Sequence, residues 1–403
     1  MQTISFVATG LVSNKEKHSE VDKNNIAVVD DYRLLKTIGV YGANASGKSN
    51  IIRALSCFKG AVRALPSPQS QLSEVADPFL FQEDAENTES FFQIVFLLLG
   101  KKYRYGFTVK KNTKRVNLED SAEIITSEWL YGPKEKNQVP YFIREGLNIT
   151  KANLQIKENI PDLQFQHSLF LTHVASFDKG VFFDIWNFIC VEFSNQRFRQ
   201  ESLRIISTGM LKEENSKKEF LHFLSNFNLD YSDIIIDDKE DLKVNEITPQ
   251  EKIFLSKNNM PGVYLNLKTN ESEGTKKLFD LAGTLIFLLK MQYPCFLILD
   301  ELDSNFHPAL VIKIIELFNN PEINKGNCQL LFSSHDTNLL NPAIMRRDQF
   351  YFTEKTEDES TRLYSLADLK GIRNDADFAK QYLAGYYGAV PVLKDFVNEK
   401  NEN

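Results

Sequence analysis

Eight residues, Gly42-Ala43-Asn44-Ala45-Ser46-Gly47-Lys48-Ser49, constrain this chain more than any other stretch. They fit the pattern GxxxxGK[ST], which arises by chance in roughly one or two of a hundred chains of this length, so its surroundings decide what it means. A β-rich run, Leu35 to Tyr41, leads into the glycines, and an apolar-periodic stretch, Asn50-Ile51-Ile52-Arg53-Ala54-Leu55, reads as a helix directly after them. In a strand, loop and helix of this kind, Gly42 and Gly47 let backbone N–H groups turn inward. Asn44, Ala45, Ser46 and Asn50 complete a cradle for a β-phosphate, and the helix N-terminus adds a favourable field. Lys48 then reaches the β- and γ-phosphates, and the Ser49 hydroxyl ligates Mg²⁺. The expected ligand is a nucleotide.

Three further segments carry chemistry that such a cradle needs. Cys295-Phe296-Leu297-Ile298-Leu299-Asp300-Glu301 is an apolar strand ending in two carboxylates. Asp300 is placed to hold Mg²⁺ through water, and Glu301 to orient and deprotonate an attacking water, a role worth ~10²–10⁴ in rate. Glu271-Ser272-Glu273-Gly274-Thr275 precedes a helix, Lys276 to Met291, that leads into that strand. Taken alone, Ser272 and Gly274 form an ordinary helix cap; ahead of the carboxylate strand they are candidates to bind a phosphate. Leu330-Leu331-Phe332-Ser333-Ser334-His335-Asp336 is a strand that presents a histidine at its end. A lone histidine is more often structural, yet an imidazole in this position can contact a γ-phosphate and report its presence.

The order of these segments resembles ABC-type ATPase heads. Within that class, YGANASGKSN, ESEGTKKLF, DELDSNFHP, FSSHD and the C-terminal RRDQFYF and YLAGYYGAVP resemble the RecF/SMC-like AAA-family ATPases of bacterial antiphage loci, RloA-like proteins encoded beside RloB-type partners. The resemblance covers nearly the whole chain, most weakly at 150–260. It implies an α/β fold: an ABC-type P-loop NTPase head with an antiparallel β subdomain and an inserted, mainly helical subdomain. It also implies ATP and Mg²⁺ as cofactors, and a homodimer or higher oligomer. In that arrangement Ser272 and Gly274 of one copy close on the γ-phosphate held by Lys48 of another, with Asp303, Ser304 and Asn305 at the same seam. Two features depart from the pattern. The signature lacks the second glycine of the transporter form, and no glutamine is plainly the metal-contacting one; Gln82 is the candidate, against a surface glutamine. ATP binding is accordingly a firmer expectation than fast turnover.

The chain divides into 1–149, holding the P-loop and a sheet over Phe91–Leu99, Tyr103–Val109 and Ile124–Tyr131; 150–260, with helical patterns at Val181–Phe193 and Lys217–Phe227; and 261–403, holding the signature, the carboxylates and His335. No apolar run reaches the roughly 18 to 20 residues of a membrane span, and the N-terminus lacks a signal-peptide pattern, so a cytoplasmic protein without membrane contact is expected. Cys57, Cys190, Cys295 and Cys328 are far apart and read as buried free thiols. The net charge of −7 argues against wholesale coating of nucleic acid. A local strip remains open to it, the best candidate being Arg197-Phe198-Arg199 with Arg204, against a solvated face.

His167 and His173 lack the partners of a metal site, and the stretch after His335 is too short for an appended nuclease domain. Destructive chemistry is therefore expected from a partner effector, a RloB-type protein or another nuclease or toxin. The competing reading is a RecF-like DNA repair or maintenance ATPase; a transporter head fits less well.

Overall fold

The computed structural model describes all residues except 1, 12–18, 114–120, 136, 153–159, 178, 197–199, 238–251, 258–259, 261, 292–293 and 392–403. The labelled elements run β1 (Thr37–Gly42), α1 (Lys48–Arg63), β2 (Ser90–Leu98), β3 (Lys101–Lys111), β4 (Glu123–Lys134), β5 (Asn137–Glu145) and β6 (Asn148–Ala152). They continue with α2 (Phe170–Ala175), α3 (Val181–Asn187), β7 (Phe193–Gln196), α4 (Gln200–Met210), α5 (Glu214–Ser225), α6 (Glu273–Lys290), β8 (Phe296–Leu299), α7 (Pro308–Asn319), β9 (Gln329–Ser333), β10 (Phe350–Lys355), β11 (Thr361–Ser365) and α8 (Phe378–Leu383). The fold is α/β.

Its centre is a six-stranded sheet of order β11-β10-β1-β9-β8-β7. All pairings but the edge hairpin β10-β11 are parallel. Parallel strands are covered on both faces and so read as unbroken apolar runs, and every residue of β1 is buried. One face packs Tyr41 and Phe332 under α6 and α7, through Leu278, Leu285, Val311 and Ile315. The other gathers Ile38, Val40, Ile298 and Leu331 around Ile52 of α1.

Strands β2 to β6 form a separate antiparallel sheet in simple sequence order. Helix α1 joins the two layers. Its first half enters the central core through Ile52, and its second half, Phe58, Ala61 and Val62, packs on Tyr105 and Phe107 of the antiparallel sheet. Two fully buried charges lie within that sheet, with Arg144 Nη1 3.0 Å from Glu128 Oε2. Glu128 also accepts from the Tyr105 hydroxyl and from the N–H groups of Phe170 and Leu171, so every lobe of the carboxylate has a donor.

Residues 150–260 contribute to both layers and to a small sheet. Helix α4 lies against α6, with Ser207 Oγ hydrogen-bonded to the Phe279 and Asp280 carbonyls. Asp233–Asp237, Lys252–Ser256 and Tyr264–Asn266 pair antiparallel. Two expectations are corrected here. The helical pattern from Val181 ends early: α3 stops at Asn187, a π-turn spans Phe188–Glu192, and Phe193 opens β7, where ladder bonds to β8 outweigh local helical preference. Cys295 and Cys328, expected as free thiols, are joined as a disulfide. Both stand immediately before parallel strands whose register pairs Phe296 with Gln329, which brings their Cα atoms to 4.5 Å. Cys57 and Cys190 take no part in a disulfide. No described helix is long and apolar enough to cross a membrane.

Candidate nucleotide site

Strands β1, β9 and β8 are adjacent and parallel, so their C-terminal ends open on one edge of the sheet. That edge is where ligands bind in open parallel sheets. It gathers Gly42 with the loop after it, Ser333 to His335, and Asp300 with Glu301, three segments far apart in sequence.

The loop between β1 and α1 turns through positive φ at a non-glycine as well as a glycine residue. Ala45 and Gly47 have φ of 61° and 106°, and helix α1 begins at Lys48. Lys48 Nζ donates to the carbonyls of Gly42 and Ala43 at 2.8 and 2.9 Å, so the ammonium lies over the loop. Burial lowers its pKa below the usual lysine value, and the charges of Asp300, Glu301 and Asp303 oppose that shift. Ser49 and Asn50 occupy the first turn of α1, and Asn44 lies in the turn before it.

The support behind the loop was not legible in the motif. Ser46 Oγ lies 2.6 Å from Thr353 Oγ1 of β10, and Thr361 Oγ1 of β11 donates to the Ser46 carbonyl at 3.1 Å. A Cβ on Gly47 would come within 2.1 Å of Thr361 Oγ1, and one on Gly42 within 2.4 Å of the Thr353 carbonyl. The two glycines thus serve close packing as well as conformation. The Ala43 N–H donates to the carbonyl of Ala389 at 2.9 Å, so the YLAGYYGAVP segment backs the loop. Tyr382 and Tyr387 of that segment are buried, while Leu383 and Tyr386 are exposed.

Asp300 and Glu301 are held by one hydroxyl. Ser333 Oγ donates to Asp300 Oδ1 at 2.5 Å and accepts from the Glu301 N–H at 2.7 Å. Glu301 has φ 48°, in the left-handed region, where a non-glycine residue stores about 1–2 kcal/mol. That turn directs it away from the strand, and its side chain is exposed. The His335 N–H donates to Asp303 Oδ2 at 3.1 Å, and the His335 ring is exposed at the same edge. Tyr41, beneath them, is buried; burial raises its pKa well above the usual value, and Asp303 and Asp336 add to the shift.

Helix α6 starts at Glu273, capped by Ser272 Oγ, which accepts the Thr275 N–H at 3.1 Å. Gly274 therefore lies in the first turn. A Cβ there would meet the Asn305 carbonyl at 2.5 Å, so the start of the helix is fitted against the loop Asp303–Asn305. Among the described residues no hydrogen bond joins Ser272 to the P-loop of its own chain.

A family model described as "AAA domain, putative AbiEii toxin, Type IV TA system" matches residues 38–341. The chain belongs to this AAA-domain family. The matched span runs from β1 past His335 and encloses every candidate site segment, whereas β10, β11 and the tail that back the P-loop follow it. Comparison with curated proteins gave no match. Among solved structures the chain is similar to an Smc head bound to the C-terminal winged-helix domain of ScpA, at 14% identity and TM-score 0.34, covering 83% of this chain and 91% of that one. It is also similar to an Smc head with an extended coiled coil bound to the C-terminal domain of ScpA from Pyrococcus furiosus, at 14% identity and TM-score 0.35, covering 83% and 92%.

The other residues singled out from the sequence of this AAA-domain protein have different surroundings. Gln82 sits half-buried in the turn before a short helix, Ala85–Asn87, that lies against β3; among the described residues no hydrogen bond links it to Ser49 or Asp300. Arg197, Phe198 and Arg199 lie outside the described residues. Arg204 of the same basic cluster makes a two-point ion pair with buried Asp280, at 2.8 and 2.9 Å, which ties α4 to α6. His167 bonds Ser121 and the Ser67 carbonyl, and His173 bonds the Pro161 carbonyl, each within the structural core.

Proposed function

We propose that the chain binds ATP with Mg²⁺ in sites shared between two copies, hydrolyses it slowly, and serves as the sensor or scaffold of an antiphage defence system that controls a partner effector. The observation that carries this reading is the convergence of Lys48, Ser49, Asp300, Glu301 and His335 on one sheet edge, with Gly274 packed on its own Asn305 and Ser272 capping its own helix, neither bonded to the P-loop of its own chain among the described residues. In this reading Lys48 neutralises the β- and γ-phosphates, while Ser49 and Asp300 would hold Mg²⁺, which would supply stabilisation of negative charge at the γ-phosphate. Glu301 takes the proton of the attacking water, and His335 senses the γ-phosphate. Gly42, Asn44, Ala45, Ser46, Gly47 and Asn50 shape the cradle. Ser272 and Gly274 of the second copy close it through an N-terminal helix field, so that hydrolysis waits on dimer formation. The family's description as a putative toxin of a toxin–antitoxin system supports a role tied to toxic activity.

Complementation tests the shared site. Lys48→Ala and Ser272→Arg proteins are each inactive; mixed one to one, they regain about one quarter of native activity, since half the dimers are mixed and each mixed dimer keeps one intact site of two. No recovery in mixtures shown by native mass spectrometry to exchange subunits refutes the arrangement. Co-purification from the native gene cluster tests the effector: a partner whose toxicity needs both proteins and Lys48 supports it. Hydrolysis stimulated by duplex DNA without any partner favours a RecF-like role instead.

A further inference from the structure

Lys277, at the start of the second turn of α6, points away from solvent into the loop that follows β8. Its Nζ lies 2.9, 3.2 and 2.9 Å from the carbonyl oxygens of Glu301, Leu302 and Ser304. An ammonium has three N–H donors and no acceptor, so this group is fully used by one loop. The Phe306 ring closes over it at 4.9 Å. Its neighbour Lys276 pairs instead with Glu273 of the same helix.

The loop needs such a clamp. Both Glu301 and Asn305 have left-handed φ, 48° and 63°, and three of the loop's carbonyls converge on one point, where they repel one another without a cation between them. Glu301 is fixed at both ends of its backbone: its N–H by Ser333 Oγ, its carbonyl by Lys277. Those two bonds set the direction of its carboxylate. Lys277 also shares its helix with Ser272 and Gly274, and Gly274 abuts the Asn305 carbonyl. Burial lowers the Lys277 pKa, while Asp303 and Glu301 oppose the shift, in keeping with a cation held against this acidic loop.

We propose that Lys277 is a positioning residue for hydrolysis: it holds the backbone of Glu301 and the Asp303–Asn305 loop to the signature helix, so that a phosphate engaging Ser272 and Gly274 aligns Glu301 of the same copy. This rests on the reading of Glu301 as the base. It requires turnover, more than nucleotide binding, to depend on Lys277. A displacement of the base by about 1 Å costs on the order of 10²-fold in rate.

The experiment compares native protein, Lys277→Met, Lys277→Arg and Glu301→Gln in steady-state ATP hydrolysis and in equilibrium binding of a fluorescent ATP analogue. Lys277→Met is expected to lower kcat roughly 10- to 100-fold with KM and analogue affinity within about threefold of native. Lys277→Arg, which keeps a cation with several donors, recovers much of kcat. A kcat for Lys277→Met within about threefold of native overturns the proposal, as does a loss of affinity that matches the loss of kcat, which marks a merely structural role. If Lys277→Met does not fold, Lys277→Gln takes its place with the same criteria. Native turnover in Glu301→Gln is a separate outcome: it removes Glu301 as base, whatever the Lys277 variants do.

Discussion

Gly47→Ala separates the two reasons that a glycine stands in the P-loop. The residue has φ 106°, outside the left-handed basin that an alanine tolerates, at a cost of about 1–3 kcal/mol. The new Cβ would also stand 2.1 Å from Thr361 Oγ1 and 2.8 Å from Thr361 Cγ2. Thr361 cannot withdraw without giving up its bond to the Ser46 carbonyl, worth about 1 kcal/mol. The loop must therefore leave its present shape, at a local cost of about 2–4 kcal/mol, and restoring that shape is charged against binding. At 1.4 kcal/mol per tenfold, ATP affinity falls roughly 30- to 700-fold, while the melting temperature changes little because a surface loop can relax. Isothermal titration with ATP and Mg²⁺ measures it. Adding Thr361→Ser keeps the hydroxyl and removes Cγ2; it should return only a small part of the affinity, since the backbone strain and the Oγ contact persist. Affinity within threefold of native in Gly47→Ala alone would refute the reasoning, and full recovery in the double variant would assign the effect to the methyl contact.

Two predictions concern the scaffold. Glu128→Gln leaves Arg144 as an uncompensated buried cation beneath three remaining donors and should cost about 3–5 kcal/mol in urea unfolding, with a loss below 1 kcal/mol counting against the network. Burial pushes the Cys190 thiol from 9.0 up to about 11, with Lys59 and Arg63 opposing. A raised folded pKa means that the unfolded thiol ionises first, so its contribution is present below pH 9 and is lost as pH rises through about 11. Stability should fall across that window by on the order of 2 kcal/mol, and Cys190→Ala should flatten the profile; an unchanged slope removes the thiol as its source.

The parts of the site that the sequence disclosed are those whose chemistry is contiguous. Gly42 to Ser49 form a loop whose backbone shape depends on its own glycines, and a buried apolar strand ending in Asp300 and Glu301 needs no partner to be noticed. The antiparallel sheet was legible for the same reason, since period-two alternation is local. Phe193–Gln196 escaped because an edge strand's hydrogen bonds come from β8, more than a hundred residues later. The Cys295–Cys328 pair escaped because its spacing is uninformative and only the β8–β9 register places the two side by side. Lys277 reads in sequence as one of three lysines on a helix.

The sequence by itself thus determined that a glycine-rich loop between strand and helix and a carboxylate pair at a strand end exist, because local sterics and burial enforce both. Tertiary structure alone decided what they meet. Parallel pairing placed β9 between β1 and β8, so that one hydroxyl, Ser333, holds both Asp300 and Glu301. The β10–β11 hairpin and the Ala389 carbonyl came to lie behind the P-loop, and Lys277 came to lie over the loop of Glu301. Hydrogen bonds and close packing between distant segments have no period and no fixed spacing, and they become visible only when the sheet order is known.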